Sequence, residues 1–170
     1  IELDNKGNYN KPVIIIDQRY HLSYPHVFKI EEEYFLIPES RSNKTIELYK
    51  CSKFPYNWEF HMTLMENIEA VDSTIFYYEN KYWLFVNIVE NEGASSWDEL
   101  FLFYSDELET KTWNPHPMNP IISDVQKSRP AGNIFIRDGK IIRPSQDCSV
   151  RYGYGIKLNE IKTLNENEYK

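Results

Sequence analysis

One pattern recurs three times along this chain. A polar or proline-bearing lead enters an apolar strand, the chain turns on charged residues, and a second strand returns. The copies are Tyr24-Pro25-His26-Val27-Phe28 into Tyr34-Phe35-Leu36-Ile37-Pro38-Glu39, then Asp72-Ser73-Thr74-Ile75-Phe76 into Tyr82-Trp83-Leu84-Phe85-Val86-Asn87, then Arg129-Pro130-Ala131-Gly132-Asn133-Ile134-Phe135 into Lys140-Ile141-Ile142-Arg143-Pro144-Ser145. Phe28, Phe76 and Phe135 are equivalent, so the spacing is 48 and then 59 residues. Repeats of roughly 40–50 residues with several strands each are the mark of a β-propeller.

The repeat continues beyond the hairpin. Ile46–Ser52 corresponds to Glu99–Ser105 as a third strand, and Trp58 and Trp113 each open a fourth, outer segment. Tyr152–Leu158 supplies the third strand of the last unit. Asn10–Asp17 resembles Asn119–Asp124 and is expected to be the outer strand of a preceding blade. The reading is an all-β chain, a β-propeller of four-stranded antiparallel blades. It is expected to be an incomplete five-bladed propeller with about three blades present, in units of 23–69, 70–127 and 128–161. The single helical candidate is Asn159 to Tyr169.

Composition agrees with strands and narrows the partners. Aromatic residues make up 15 % of the chain, a content that favours pleated surfaces. The net charge is −7, with lysines scattered rather than clustered, which argues against nucleic acid. No apolar run reaches the ~18 residues of a membrane-spanning helix. Nothing in the sequence fixes a compartment. Cys51 and Cys148 lie in different units without metal-ligand neighbours and read as reduced thiols. No cofactor is expected, and no metal unless Glu39, Asp72 and Asp147 together hold Ca²⁺. Asn43-Lys44-Thr45 is a glycosylation sequon, a tripeptide common by chance.

Antiparallel pairing places the start of a first strand and the end of a second at one sheet edge. In a propeller the first strands line the central channel, so these edges converge on one funnel. The residues so collected are His26, Glu39, Asp72, Asn87, Arg129, Ser145, Gln146 and Asp147. The long irregular stretch Glu90–Asp98 adds Trp97, either a platform for a sugar ring or a plug on the rim. Paired carboxylates with a nearby arginine suit sugar chemistry, in which one acid protonates the leaving oxygen and a carboxylate assists attack on the anomeric carbon. On the hydrolytic reading Glu39 is the proton donor and Asp72 the pKa modulator or base. His26, Asn87, Trp97, Arg129, Gln146 and Asp147 hold substrate.

Asp72-Ser73-Thr74-Ile75-Phe76 followed by Tyr82-Trp83-Leu84-Phe85 resembles the blade-opening motif of five-bladed propeller glycosidases, the glycoside hydrolase families 43 and 32. That resemblance implies that Asp72 orients an acid and tunes its pKa. A resemblance over nearly the whole chain rests on Tyr34–Ser40, Phe54–Trp58, Val71-Asp72, His116–Pro120, Ser128–Gly132, Ile142–Asp147 and Tyr152–Gly155. These segments look like the glycosidase-like propeller ahead of the transferase domain in plant glucosamine inositolphosphorylceramide transferases, and in related bacterial polysaccharide proteins. The resemblance implies a carbohydrate-binding module tied to glycan or glycolipid synthesis. Its expected partners are a glycan or sugar nucleotide in the axial funnel and a fused or partner transferase domain. The chain departs from the hydrolases where they carry a Glu at the start of the next inner strand. Here that place is Ser128-Arg129-Pro130, so glycoside hydrolysis through Glu39 and Asp72 is the alternative function.

Overall fold

The computed structural model describes residues 4–91 and 93–170. Among the described residues, twelve strands form three antiparallel sheets. The first holds β1 (Ser23–Ile30), β2 (Glu33–Ser40), β3 (Thr45–Lys53) and β4 (Asn57–Glu66) in chain order. The second holds β5 (Ala70–Tyr78), β6 (Lys81–Ile88) and β7 (Glu99–Ser105); its fourth position is shared by the short β8 (Asn114–Pro115) and β9 (Ile122–Ser123), both paired to β7. The third holds β10 (Phe135–Arg137), β11 (Lys140–Asp147) and β12 (Gly155–Ile161). This is the all-β propeller read from the repeat, with about three blades.

Local chemistry explains the hairpins. Each inner pair closes on a two-residue turn, because Ile30 pairs with Glu33, Tyr78 with Lys81 and Arg137 with Lys140. Glu79-Asn80 and Asp138-Gly139 have positive φ at both positions, the twist that favours a tight hairpin. Along β6 the side chains alternate between two cores. Leu84 and Val86 face blade 1, packing with Phe35, Ile37 and Leu48. Trp83 and Phe85 face blade 3, packing with Ile134, Ile141 and Ile161. The blades therefore stand face to face, and burial of both faces of β6 holds the stack together.

Two expectations meet a different arrangement. Residues 159–169 form no helix: β12 runs to Ile161, and Leu164 bridges Tyr169. The alternation of exposed Ile156, Leu158 and Glu160 with the more buried Lys157, Asn159 and Ile161, in register with β11, overrides the weak helical pattern. Residues 10–17 adopt no strand, and among the described residues β12 pairs only with β11. Instead the N-terminal segment lies across the outer face of blade 1. Ile16 packs with Leu36, Tyr49 and Trp58, while Val13 and Ile14 stay exposed. Gln18 and Tyr20 fasten the segment through hydrogen bonds to Tyr49 and Glu47. No helix among the described residues is long and apolar enough to cross a membrane.

Candidate functional site

The inner strands of blades 1 and 2 open on the same irregularity. Register shifts between Ser23 and His26 in β1, and between Val71 and Thr74 in β5. Tyr24 and Asp72 occupy the shifts at φ of 42° and 54°. Side chains other than glycine are uncommon there, tyrosine especially, and such positions persist only where surrounding contacts enforce them. A bulge re-aims a side chain that regular pleating would send into a sheet face. Here it delivers Tyr24 and Asp72 to the place where the three blades meet. The Tyr24 hydroxyl lies 3.0 Å from Thr74 Oγ1 in blade 2 and accepts the Gly132 N–H of blade 3 at 2.7 Å. One phenol thus ties three blades together.

Asp72 is the centre of the floor. Its Oδ2 accepts Arg129 Nε at 2.7 Å and Gln146 Nε2 at 3.0 Å. Gln146 also donates to the Pro130 carbonyl, which fixes the amide. Glu39 reaches Asp72 from the end of β2. Burial lifts the Asp72 carboxyl to about 6, opposed by the Arg129 charge and reinforced by Glu39. The Asp72 and Arg129 side chains are only 4 % and 9 % exposed, so this ion pair is buried rather than solvated.

An aromatic wall rises from the floor. The Arg129 guanidinium sits 5.0 Å from the Tyr152 ring centroid. Tyr152 in turn lies 6.2 Å from Trp97, and Arg129 Nη1 lies 3.5 Å from Ser96 Oγ. Tyr152 remains 56 % exposed. Trp97 comes from the β6–β7 loop and Tyr152 from the β11–β12 loop, so the wall is built by connections while the floor is built by strands.

Of the residues expected at the site, Glu39, Asp72, Arg129 and Gln146 meet directly, and Trp97 joins them through Tyr152. His26 is buried beside them, but its Nε2 accepts the Ile75 N–H at 3.0 Å and its ring stacks on Phe28. Burial holds the imidazole down at about 4, so it is neutral near pH 7. Its place is the seam between blades 1 and 2. Asn87 is buried and donates to the Glu99 carbonyl at 2.6 Å; its Oδ1 has no hydrogen-bond partner among the described residues. Asp147 points to the opposite face of β11 from Gln146. Its oxygens take Ser149 N and Oγ and Lys157 Nζ, which hold its carboxyl low. Among the described residues no three His, Cys, Asp or Glu side chains are grouped to hold a metal ion.

Sequence reasoning missed Tyr24, Tyr152 and Arg143. Tyr24 sits one residue before the proline of the first lead and reads as a strand residue. Only the bulge in the equivalent Asp72 segment hints at its direction. Arg143 is fully buried, and its guanidinium donates to the carbonyls of Lys127 and Ser128, which fixes the segment carrying Arg129.

Comparison with known proteins agrees with this architecture. The family model described as the N-terminal region of glucosamine inositolphosphorylceramide transferase 1 matches residues 2–170. The transferase of that name from Oryza sativa subsp. japonica is 35 % identical over 170 residues, covering 99 % of this chain and 23 % of the rice protein. The Arabidopsis thaliana protein is 34 % identical over 169 residues, 98 % of this chain and 22 % of its own length. The chain thus spans less than a quarter of the curated relatives it matches. Among solved structures, the arabinanase of Bacillus subtilis superposes with a TM-score of 0.57 at 16 % identity, over 85 % of this chain and 53 % of the enzyme. That likeness concerns the fold. The match of the family model to residues 2–170 leads to one assignment: this chain belongs to the glucosamine inositolphosphorylceramide transferase 1 N-terminal family.

Proposed function

We propose that this propeller is a carbohydrate-binding module that holds a glycan end, or the sugar of a sugar nucleotide, in its axial funnel and serves an attached or partner transferase. The observation that supports this reading most directly is the floor. Buried Asp72 and Arg129 and half-buried Gln146 are fixed by one another beneath an exposed aromatic wall. Rigid polar groups under a stacking face suit a sugar, whose hydroxyls need directed partners and whose C–H face packs on rings. The transferase names of the plant relatives fit a sugar context.

A hydrolytic reading has one observation in its favour. Two acids, Glu39 and Asp72, lie together, and Asp72 is raised toward neutrality. Glu39 would then donate a proton to the leaving oxygen while Asp72 tunes it, with water attacking the anomeric carbon. Against this, Arg129 stands where the glycosidases of similar motif carry an acid. Calorimetric titration with a panel of oligosaccharides, run beside a reducing-sugar assay, separates the two. Binding without turnover is the expected result. Turnover abolished by Asp72→Asn would replace the module reading with the enzyme. Absence of binding to every sugar would overturn both.

A further inference from the structure

Strand register makes blades 2 and 3 comparable position by position. In blade 2, Phe76 pairs with Trp83, Phe85 with Leu102 and Asn87 with Leu100. The corresponding pairs in blade 3 are Phe135 with Ile142, Pro144 with Leu158 and Gln146 with Ile156. Ile156 and Leu158 therefore hold the places of Leu100 and Leu102. Their surroundings differ. Leu100 and Leu102 are fully buried, packed with Ile134, Ile141 and Ile161 of the next blade. Ile156 and Leu158 are 71 % and 65 % exposed. The strand edge differs too. The Ile121 N–H donates to the Leu100 carbonyl, and the Asn119 side chain accepts from Leu102 N and donates to its carbonyl, each at 2.8 Å. Among the described residues β12 has β11 as its one paired strand, so its other edge carries no strand.

We propose that the outer face of blade 3, centred on Ile156 and Leu158, is a docking surface for a further antiparallel β-sheet of the same protein, carried on chain outside residues 1–170. The face continues the packing by which blade 3 sits on blade 2. Apolar side chains on alternate residues of a strand are the pattern of a sheet face that packs on a core. The occupant is expected to present aliphatic side chains at the three places that Ile134, Ile141 and Ile161 take against blade 2. Chain to supply it exists in proteins of this kind, because this chain matches 23 % of the rice relative and 53 % of the arabinanase. A second copy of these residues fits less well. The outward face of its blade 1 is already covered, with Ile16 packed on Leu36, Tyr49 and Trp58. The seat also borders the funnel. Ile156 pairs with Gln146, whose amide donates to Asp72, so a docked sheet closes that side of the floor. The proposal stands on packing and does not depend on the sugar reading.

The test is hydroxyl-radical footprinting of the protein at the full length of its natural chain, read by mass spectrometry at single side chains. The same protein unfolded in urea gives the rate of full exposure, and Leu100 and Leu102 give the rate of burial. Ile156 and Leu158 should lose reactivity to the level of Leu100 and Leu102, at every protein concentration. Reactivity near the unfolded rate would show a bare face and overturn the proposal. Protection that disappears on dilution would overturn the assigned occupant in favour of a second copy. Leu158→Asp gives a second measurement, because a carboxylate on a bare face costs little and one under a packed sheet costs much. The urea midpoint of the full chain should fall with this substitution, and an unchanged midpoint would again overturn the proposal.

Discussion

Replacing Arg129 by Met tests how the buried ion pair is held. Losing one partner of a buried pair typically costs ~3–5 kcal/mol, because the other charge is left stranded. Asp72 has a way out, since it can take up a proton. In the intact protein its carboxyl is already raised from 3.8 to about 6. That rise is on the order of 3 kcal/mol of unfavourable burial present at pH 7. Holding the carboxyl fully protonated at pH 7 against an unfolded value of 3.8 requires roughly 4–5 kcal/mol at 1.36 kcal/mol per unit. The electrostatic loss in Arg129→Met is therefore capped near 1–2 kcal/mol at pH 7, below the usual figure for a stranded charge. The sign follows from linkage. A raised acid binds its proton more tightly in the folded state, so its contribution to stability falls as pH rises from 3.8 through the folded value. In the intact protein that fall ends just above pH 6. Without Arg129, whose charge lowers Asp72, the fall should extend past pH 7. Urea unfolding followed by tryptophan fluorescence should show a small deficit near pH 5 and a growing one toward pH 8. Asp72→Asn combined with Arg129→Met should remove the pH dependence. An equal deficit at pH 5 and pH 8 would refute the electrostatic argument and leave loss of packing on Tyr152 as the cause.

Tyr24→Phe removes the hydroxyl shared by Thr74 and Gly132, and is expected to lower stability by about 1–2 kcal/mol and weaken sugar binding; urea unfolding and titration measure both. Glu47 is buried, yet donors from Tyr20, Thr45, Asn43 and Tyr49 outweigh that burial and lower its carboxyl. Its stabilising contribution is present above the unfolded value and is lost as pH falls through the lowered one, so Glu47→Gln should flatten the acid limb of the stability curve. The same variant should also speed proteolysis within residues 10–20, which Tyr20 fastens to Glu47. Arg143→Lys keeps the charge but not the fork that grips two carbonyls. Its unfolding midpoint should fall by the equivalent of about 2 kcal/mol, as for loss of a buried charged hydrogen bond.

The hairpins and their shared edge were legible in the sequence because strand pairing is periodic. Once Phe28, Phe76 and Phe135 are aligned, two-residue turns set His26 opposite Ile37 and Thr74 opposite Phe85, and the bulges beyond them bring Ser23 to Glu39 and Val71 to Asn87. The edge list followed from chain order alone, and Glu39, Asp72, Arg129 and Gln146 come from it. The direction of each side chain at that edge was not legible. Gln146 and Asp147 are neighbours in β11, yet one joins Asp72 and the other joins Lys157, because adjacent residues point to opposite faces. His26 and Asp72 both open inner strands, but one plugs the seam between blades and the other sits in the floor. Tyr24 reached the floor only through its bulge, and Tyr152 only because a loop of blade 3 folded over Arg129. The repeat determined which residues share an edge, since hydrogen-bond register is a local property of paired strands. Tertiary structure decided which of them face one another, since bulges, loops and packing between blades depend on contacts that no single unit contains.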